Sequence, residues 1–142
     1  MPHRYVDGKR GIVRSFNVPS PSAGTEWVIA VPHGKVWHVI TIFMIFVTSA
    51  AVATRRVAMD FKTGGNLFAT VVSVEPQAAS TTNNYMFAEN ITRATVLHSR
   101  AITPIPQNQI MYEGETVGSA TLVIDAADQF SAIVLRVEEW DV

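Results

Sequence analysis

The sequence contains no cysteine, which removes disulfides, thiolate nucleophiles and cysteine metal clusters from consideration. Charge is also sparse: 16% of the 142 residues are Asp, Glu, Lys or Arg, and the net charge is −1. A nucleic-acid-binding face needs a cationic surplus that this balance does not supply. There is no G-x-S-x-G nucleophile turn and no glycine-rich phosphate loop opening a helix. Long apolar runs are missing too. The greasiest stretch, Val36 to Val47, is apolar at ten of twelve positions. Thr48-Ser49 and then Arg55-Arg56 interrupt it, short of the roughly 20 residues that a membrane helix requires. The opening MPHRYVDGKRG is polar and basic with no apolar segment behind it, so it does not read as a secretory leader.

Nearly half of the chain is apolar, a globular composition long enough for one domain with a real core. The Val36–Val47 run is rich in Val, Ile, Thr, Phe and Trp, which fit a pleated surface better than a helix. It reads as one long strand with two greasy faces. One holds Trp37, Val39, Thr41, Phe43, Ile45 and Val47; the other holds His38, Ile40, Ile42, Met44 and Phe46. A strand with one wet face would alternate with polar residues. The second face therefore calls for another layer, an arm or a neighbouring subunit.

Further strands are expected over 12–17, 26–31, 54–62, 67–75, 84–89, 95–101, 108–113, 116–124 and 131–140. Thr63-Gly64-Gly65-Asn66 supplies a hairpin turn with positive φ angles, and Asp125 to Gln129 supplies a second turn. Thr103-Pro104-Ile105-Pro106 is excluded from a central strand because proline removes ladder donors. Spacing of about ten residues predicts an all-β fold: an antiparallel β-sandwich or jelly-roll-like barrel over 25–142, with an extended N-terminal arm over 1–24. Residues 1–62 carry eight basic and three acidic side chains, and residues 63–142 carry three and nine. Ile12 to Val18 could add a strand to another subunit's sheet edge.

No constellation of side chains assembles an enzyme site, and no cofactor or metal is expected. His33 and His38 are five residues apart and would face opposite sides of a regular strand, while His3 and His98 stand alone. Glu138-Glu139 and Glu113-x-Glu115 are the paired carboxylates, a pattern that glycoside hydrolysis could use but that solvated strand edges and turns also produce. Trp37 belongs to a core. Trp140, two residues from the C-terminus, could dock against a partner. Tyr85, Phe87 and Tyr112 are the aromatic candidates for a carbohydrate face.

Several motifs follow one another in a familiar order. Val31-Pro32-x-Gly34-Lys35-x-Trp37-x-Val39 leads into the long apolar strand, and Arg55-Arg56-Val57-Ala58-Met59, Gly64-Gly65 and Tyr85-Met86-Phe87 come next. Ile110 to Val117 then carries Gly114-Glu115, and Asp128-Gln129-Phe130-Ser131 and Val137-Glu138-Glu139-Trp140 close the series. This order resembles small jelly-roll-like virion proteins of tailed bacteriophages, of the head decoration (cement) type. Two positions depart from the pattern: Ala53-Thr54 replaces Gly-Asn, and Phe130 replaces Trp.

The resemblance implies a non-enzymatic structural protein made in the host cytoplasm and placed on the outer surface of the capsid. It would act as a homotrimer that stabilises the shell by bridging capsomers of the major capsid protein. Neither nucleic acid nor membrane would be a partner. Arg4, Tyr5, Ile12, Val13 and Phe16 are the expected arm contacts, and Arg55, Arg56 and Trp140 the expected subunit interface. The alternatives are another virion position (tail, neck or fibre base) and a carbohydrate-binding jelly-roll module.

Overall fold

The computed structural model describes residues 5–6, 8–92, 94–97 and 99–142. Arg4, His3 and His98 lie outside the described residues, as does the side chain of Tyr5. Among the described residues, thirteen strands run in the order β1 (Tyr5–Val6), β2 (Lys9–Arg10), β3 (Ile12–Val18), β4 (Val28–Ala30), β5 (Lys35–Val47), β6 (Arg56–Thr63) and β7 (Asn66–Val72), followed by β8 (Thr82–Ala88), β9 (Ala94–Leu97), β10 (Arg100–Pro104), β11 (Ile110–Tyr112), β12 (Thr116–Leu122) and β13 (Gln129–Asp141). No helix among the described residues is long and apolar enough to cross a membrane.

Two sheets pack as a sandwich. The larger runs β3-β13-β5-β8-β10-β9, with β11 beside the first residues of β5; the smaller runs β4-β12-β6-β7. Four antiparallel pairs are nested in sequence: β3 with β13, β4 with β12, β5 with β8, and β6 with β7. A long hairpin rolled so that its rungs alternate between two sheets gives this order, which is that of a jelly roll. The expected all-β sandwich is therefore the fold. One pairing departs from the antiparallel plan, because β10 lies parallel to β8. Pro104 sits at the last residue of β10, beyond Ala94↔Ile102 where β9 pairs, so its missing N–H breaks no ladder bond to β9.

The core fills the space between the sheets. Ile42, Met44, Phe46, Met59, Phe61, Tyr85, Phe87, Phe130 and Leu135 are all fully buried. Phe46 and Phe130 stack with ring centroids 4.3 Å apart. Burying one such side chain stabilises the fold by about 1.5–3 kcal/mol.

The two faces of β5 differ from the simple alternation. Arg136 pairs with Thr41 but Val137 pairs with Val39, so Ile40 is an extra residue in the ladder. This bulge brings Trp37 and Val39 to the same inner side as Ile42, Met44 and Phe46. Ile40, Ile42 and Phe46 are enclosed by their own chain and need no neighbour. The outer side of the strand is left with Val36 and His38, which are buried, and Thr41, Phe43 and Ile45, which are half-buried.

Within the expected arm of residues 1–24, the described residues 12–18 are not detached from the body. β3 pairs with β13 over seven residues, from Val18↔Ile133 to Ile12↔Glu139. Phe16 stacks on Trp37 at 5.3 Å, and Val18 lies in the core. A truncation through residue 18 would strip an edge strand from the body. Ahead of it, β1 and β2 form a small hairpin, with Tyr5 paired to Arg10.

Candidate functional site

Arg55, expected at a subunit interface, is fully buried within its own chain. The reason is a partner 73 residues away. Nε donates to Asp128 Oδ2 and Nη2 to Asp128 Oδ1, both at 3.0 Å, the paired fork that matches guanidinium to carboxylate. Nη1 donates to the carbonyls of Ala51 and Ala53 at 2.8 Å, and Nη2 also donates to Ser49 Oγ at 3.0 Å. All five N–H donors are thereby used. Asp128 accepts further bonds from the backbone N–H of Ser49 and of Asp125, each at 2.8 Å. Burial alone would raise the Asp128 carboxyl; the Arg55 fork and these two amides outweigh it and hold the group below its ordinary value. Two loops, 48–55 and 123–128, are tied together at one end of the sandwich.

The outer side of the first residues of β5 is closed by the chain's own N-terminal segment. A Cβ at Gly11 would stand 2.5 Å from Glu138 Cγ and 2.7 Å from Trp140 Cε2, so only glycine lets the backbone lie flat there. Trp140, also expected at a subunit interface, donates from Nε1 to the Lys9 carbonyl at 3.0 Å and is 2% exposed. Its docking partner is its own N-terminus. Beneath this cover His38 Nε2 meets Glu89 Oε2 at 2.7 Å, and Glu89 Oε2 also accepts from the Asn108 N–H at 3.3 Å. His38 Nδ1 and Glu138 Oε2 are 3.7 Å apart, beyond hydrogen-bond length. Both His38 Nδ1 and Glu138 Oε1 are buried without a hydrogen-bond partner.

The remaining carboxylate pairs split between separate tasks. Glu139 faces the opposite side from Glu138, accepting from Trp37 Nε1 at 2.8 Å and pairing with Arg14 at 3.0 Å. Glu113 accepts from the Gly34 N–H at 2.9 Å and pairs with His33; the amide first and the histidine second hold its carboxyl below the usual range. Glu115 accepts from the Tyr112 N–H at 2.9 Å, closing the turn at Gly114. None of these pairs faces a shared cleft. Of the three aromatics considered for a sugar face, Tyr85 and Phe87 are in the core and only Tyr112 is exposed.

What the fold leaves open are sheet edges. Among the described residues, no strand pairs with the outer edge of β3 or of β7. Ile12 and Val13 on β3 are 58% and 47% exposed. On β7, Leu67, Phe68 and Val72 are exposed to a similar degree, and the strand carries no charge. Arg56 is exposed too, with Nη1 donating to the Val74 carbonyl at 3.3 Å. The structure thus places Ile12, Val13 and Arg56 at the surface, and Phe16, Arg55 and Trp140 against their own chain. Nothing local in the sequence marked Gly11, His38 with Glu89, or Asp128 as partners, since each contact joins segments at least 51 residues apart. No protein-family model matches the chain, and no curated protein sequence matches it.

Proposed function

We propose that this chain is a non-enzymatic structural protein of a tailed-phage virion: a head decoration protein that binds the outer capsid as an oligomer, a homotrimer by the resemblance, and bridges neighbouring capsomers. The observation that carries the reading is the pair of open edge strands on a jelly roll: β3, with Ile12 and Val13 exposed, and the uncharged β7. A long uncharged edge such as β7 is a template for pairing with another chain, and a monomer that is to stay monomeric normally blunts it. Jelly rolls serve in viral shells as well as in lectins and cupins, so the fold admits the role without fixing it. The lectin alternative finds no aromatic platform among the described residues. The buried ion pair of Arg55 is spent internally, and the exposed side chains of the two edges make apolar burial the main means of association there. A specific contact of about 1,600 Å² is the usual scale. Many copies on a closed shell add avidity to each weak contact.

The test is cosedimentation of the purified full-length chain with DNA-free heads assembled from the major capsid protein of the same phage. Saturable binding is expected, with an oligomeric mass by light scattering. Lysines at Val13 and Val72 should weaken binding at least tenfold while the chain stays folded. Absence of any binding to heads at micromolar concentration sinks the reading.

A further inference from the structure

We infer that the outer face of the larger sheet, above Phe43, is a docking surface for a protein partner that presents apolar side chains between acidic groups. Cross-strand partners place Val134 beside Phe43, Phe43 beside Met86, and Met86 beside Ile102. Four apolar side chains thus form one row across four strands, all half-buried and all on the side that faces away from the core. The row borders a shallow depression of about 220 Å³, floored by Phe43, Met86 and Ile102 and rimmed by Arg100. Toward one side, Arg136 pairs with Thr41; toward the other, Arg100 pairs with Asn84, itself paired with Ile45. Both arginines are exposed, and neither has an ion-pair partner among the described residues.

Charge complementarity selects the occupant. With four residues along the strands and three strand spacings across, the two guanidinium attachments lie roughly 20 Å apart, on either side of the row. Glu138, the acid nearest Arg136 along β13, is buried beneath Gly11. A second copy laid face to face would add two more arginines and, among the described residues of this face, no exposed carboxylate. Nucleic acid would match two cations and leave the apolar row unused. A surface with carboxylates about 20 Å apart and apolar residues between them matches both features, and complementary charge would set its register. The inference deepens the proposed function by naming the face that meets the shell, and it rests on that reading only for the identity of the partner.

The test uses the full chain and two synthetic peptides with the same Leu- and Phe-containing centre, one flanked by glutamates and one by lysines. The readout is the Met86 methyl resonance. The glutamate peptide is expected to shift Met86 and to bind at least tenfold more tightly than the lysine peptide, and Arg100→Glu/Arg136→Glu should invert that order. On heads, the same double variant should lose at least tenfold in affinity. Equal binding of the two peptides, or no shift of Met86 at millimolar peptide, overturns the inference whatever the heads do. Heads that bind wild type and double variant alike overturn it while sparing the proposed function. A Met86 shift that grows with protein concentration alone overturns it in favour of self-pairing. Binding to phosphatidylglycerol vesicles that is lost in the double variant overturns it in favour of a lipid surface.

Discussion

Arg55 and His38 each face a buried carboxylate, and the two clusters are finished to different degrees. Around Arg55 every guanidinium donor has an acceptor, and Asp128 has its fork and two amides besides. Around His38 only Nε2 is engaged; Nδ1 and one oxygen of Glu138 have no partner. A buried ion pair contributes only when its remaining hydrogen-bonding capacity is also met. The first cluster meets that condition and knots two loops together. The second does not, and it lies under a cover, the Lys9–Gly11 segment, which accepts a bond from Trp140 at the Lys9 carbonyl and lies flat because residue 11 is glycine. One end of the molecule is locked and the other is lidded.

The largest effect is expected from breaking the lock. Arg55→Ala leaves Asp128 buried with its guanidinium gone and should cost about 3–5 kcal/mol in urea unfolding. A loss under about 1 kcal/mol would put the two clusters on the same footing and end the contrast. Next comes the lid. Gly11→Val drives a side chain into Glu138 and Trp140, and overpacking of this kind costs about 1–3 kcal/mol. The damage should be local: hydrogen exchange should accelerate across residues 8–12 and at Trp140 while β6 and β12 remain protected. Uniform acceleration would show that the lid is part of the core instead.

Much of this architecture was legible in the sequence. The hairpin at Gly64-Gly65 has φ angles of 54° and 83°, as the paired glycines required. The apolar blocks became strands, and β5 and β13 run for thirteen residues each. What failed to show was anything that depends on a distant partner or a single inserted residue. The bulge at Ile40 shifts the inward set of β5 by one residue, and no feature of VITIF announces it. Arg55 read as a subunit-interface residue because its partner Asp128 is far along the chain. Trp140 read as surplus because Gly11, the residue that makes room for it, carries no side chain to notice.

A smaller effect comes from acid. Asp128 is held below its ordinary value near 3.8, so its contribution is complete above that value and is lost as pH falls through the lower native one. Wild type and Asp128→Asn should therefore differ in urea midpoint at pH 7, and the gap should narrow as pH falls below about 3.8. A gap that stays constant as pH falls would mean that packing, not charge, separates them.

The smallest effect is the most discriminating, because it repeats one chemical change in both clusters. Carboxylate to amide at Asp128 replaces an acceptor by a donor facing guanidinium and removes charge-assisted bonds, which are worth about 1.5–3 kcal/mol. The same change at Glu138 removes a charge whose Oε1 has no partner and whose Oε2 is 3.7 Å from His38 Nδ1. Almost nothing made is lost there, and the amide of Glu138→Gln can donate to the free Nδ1. Its cost should stay under about 1 kcal/mol. Chemical denaturation of the two variants side by side measures the asymmetry directly. Should Glu138→Gln prove as costly as Asp128→Asn, the cluster under Gly11 would be as tightly built as the one around Arg55, and the lid would be holding a finished site.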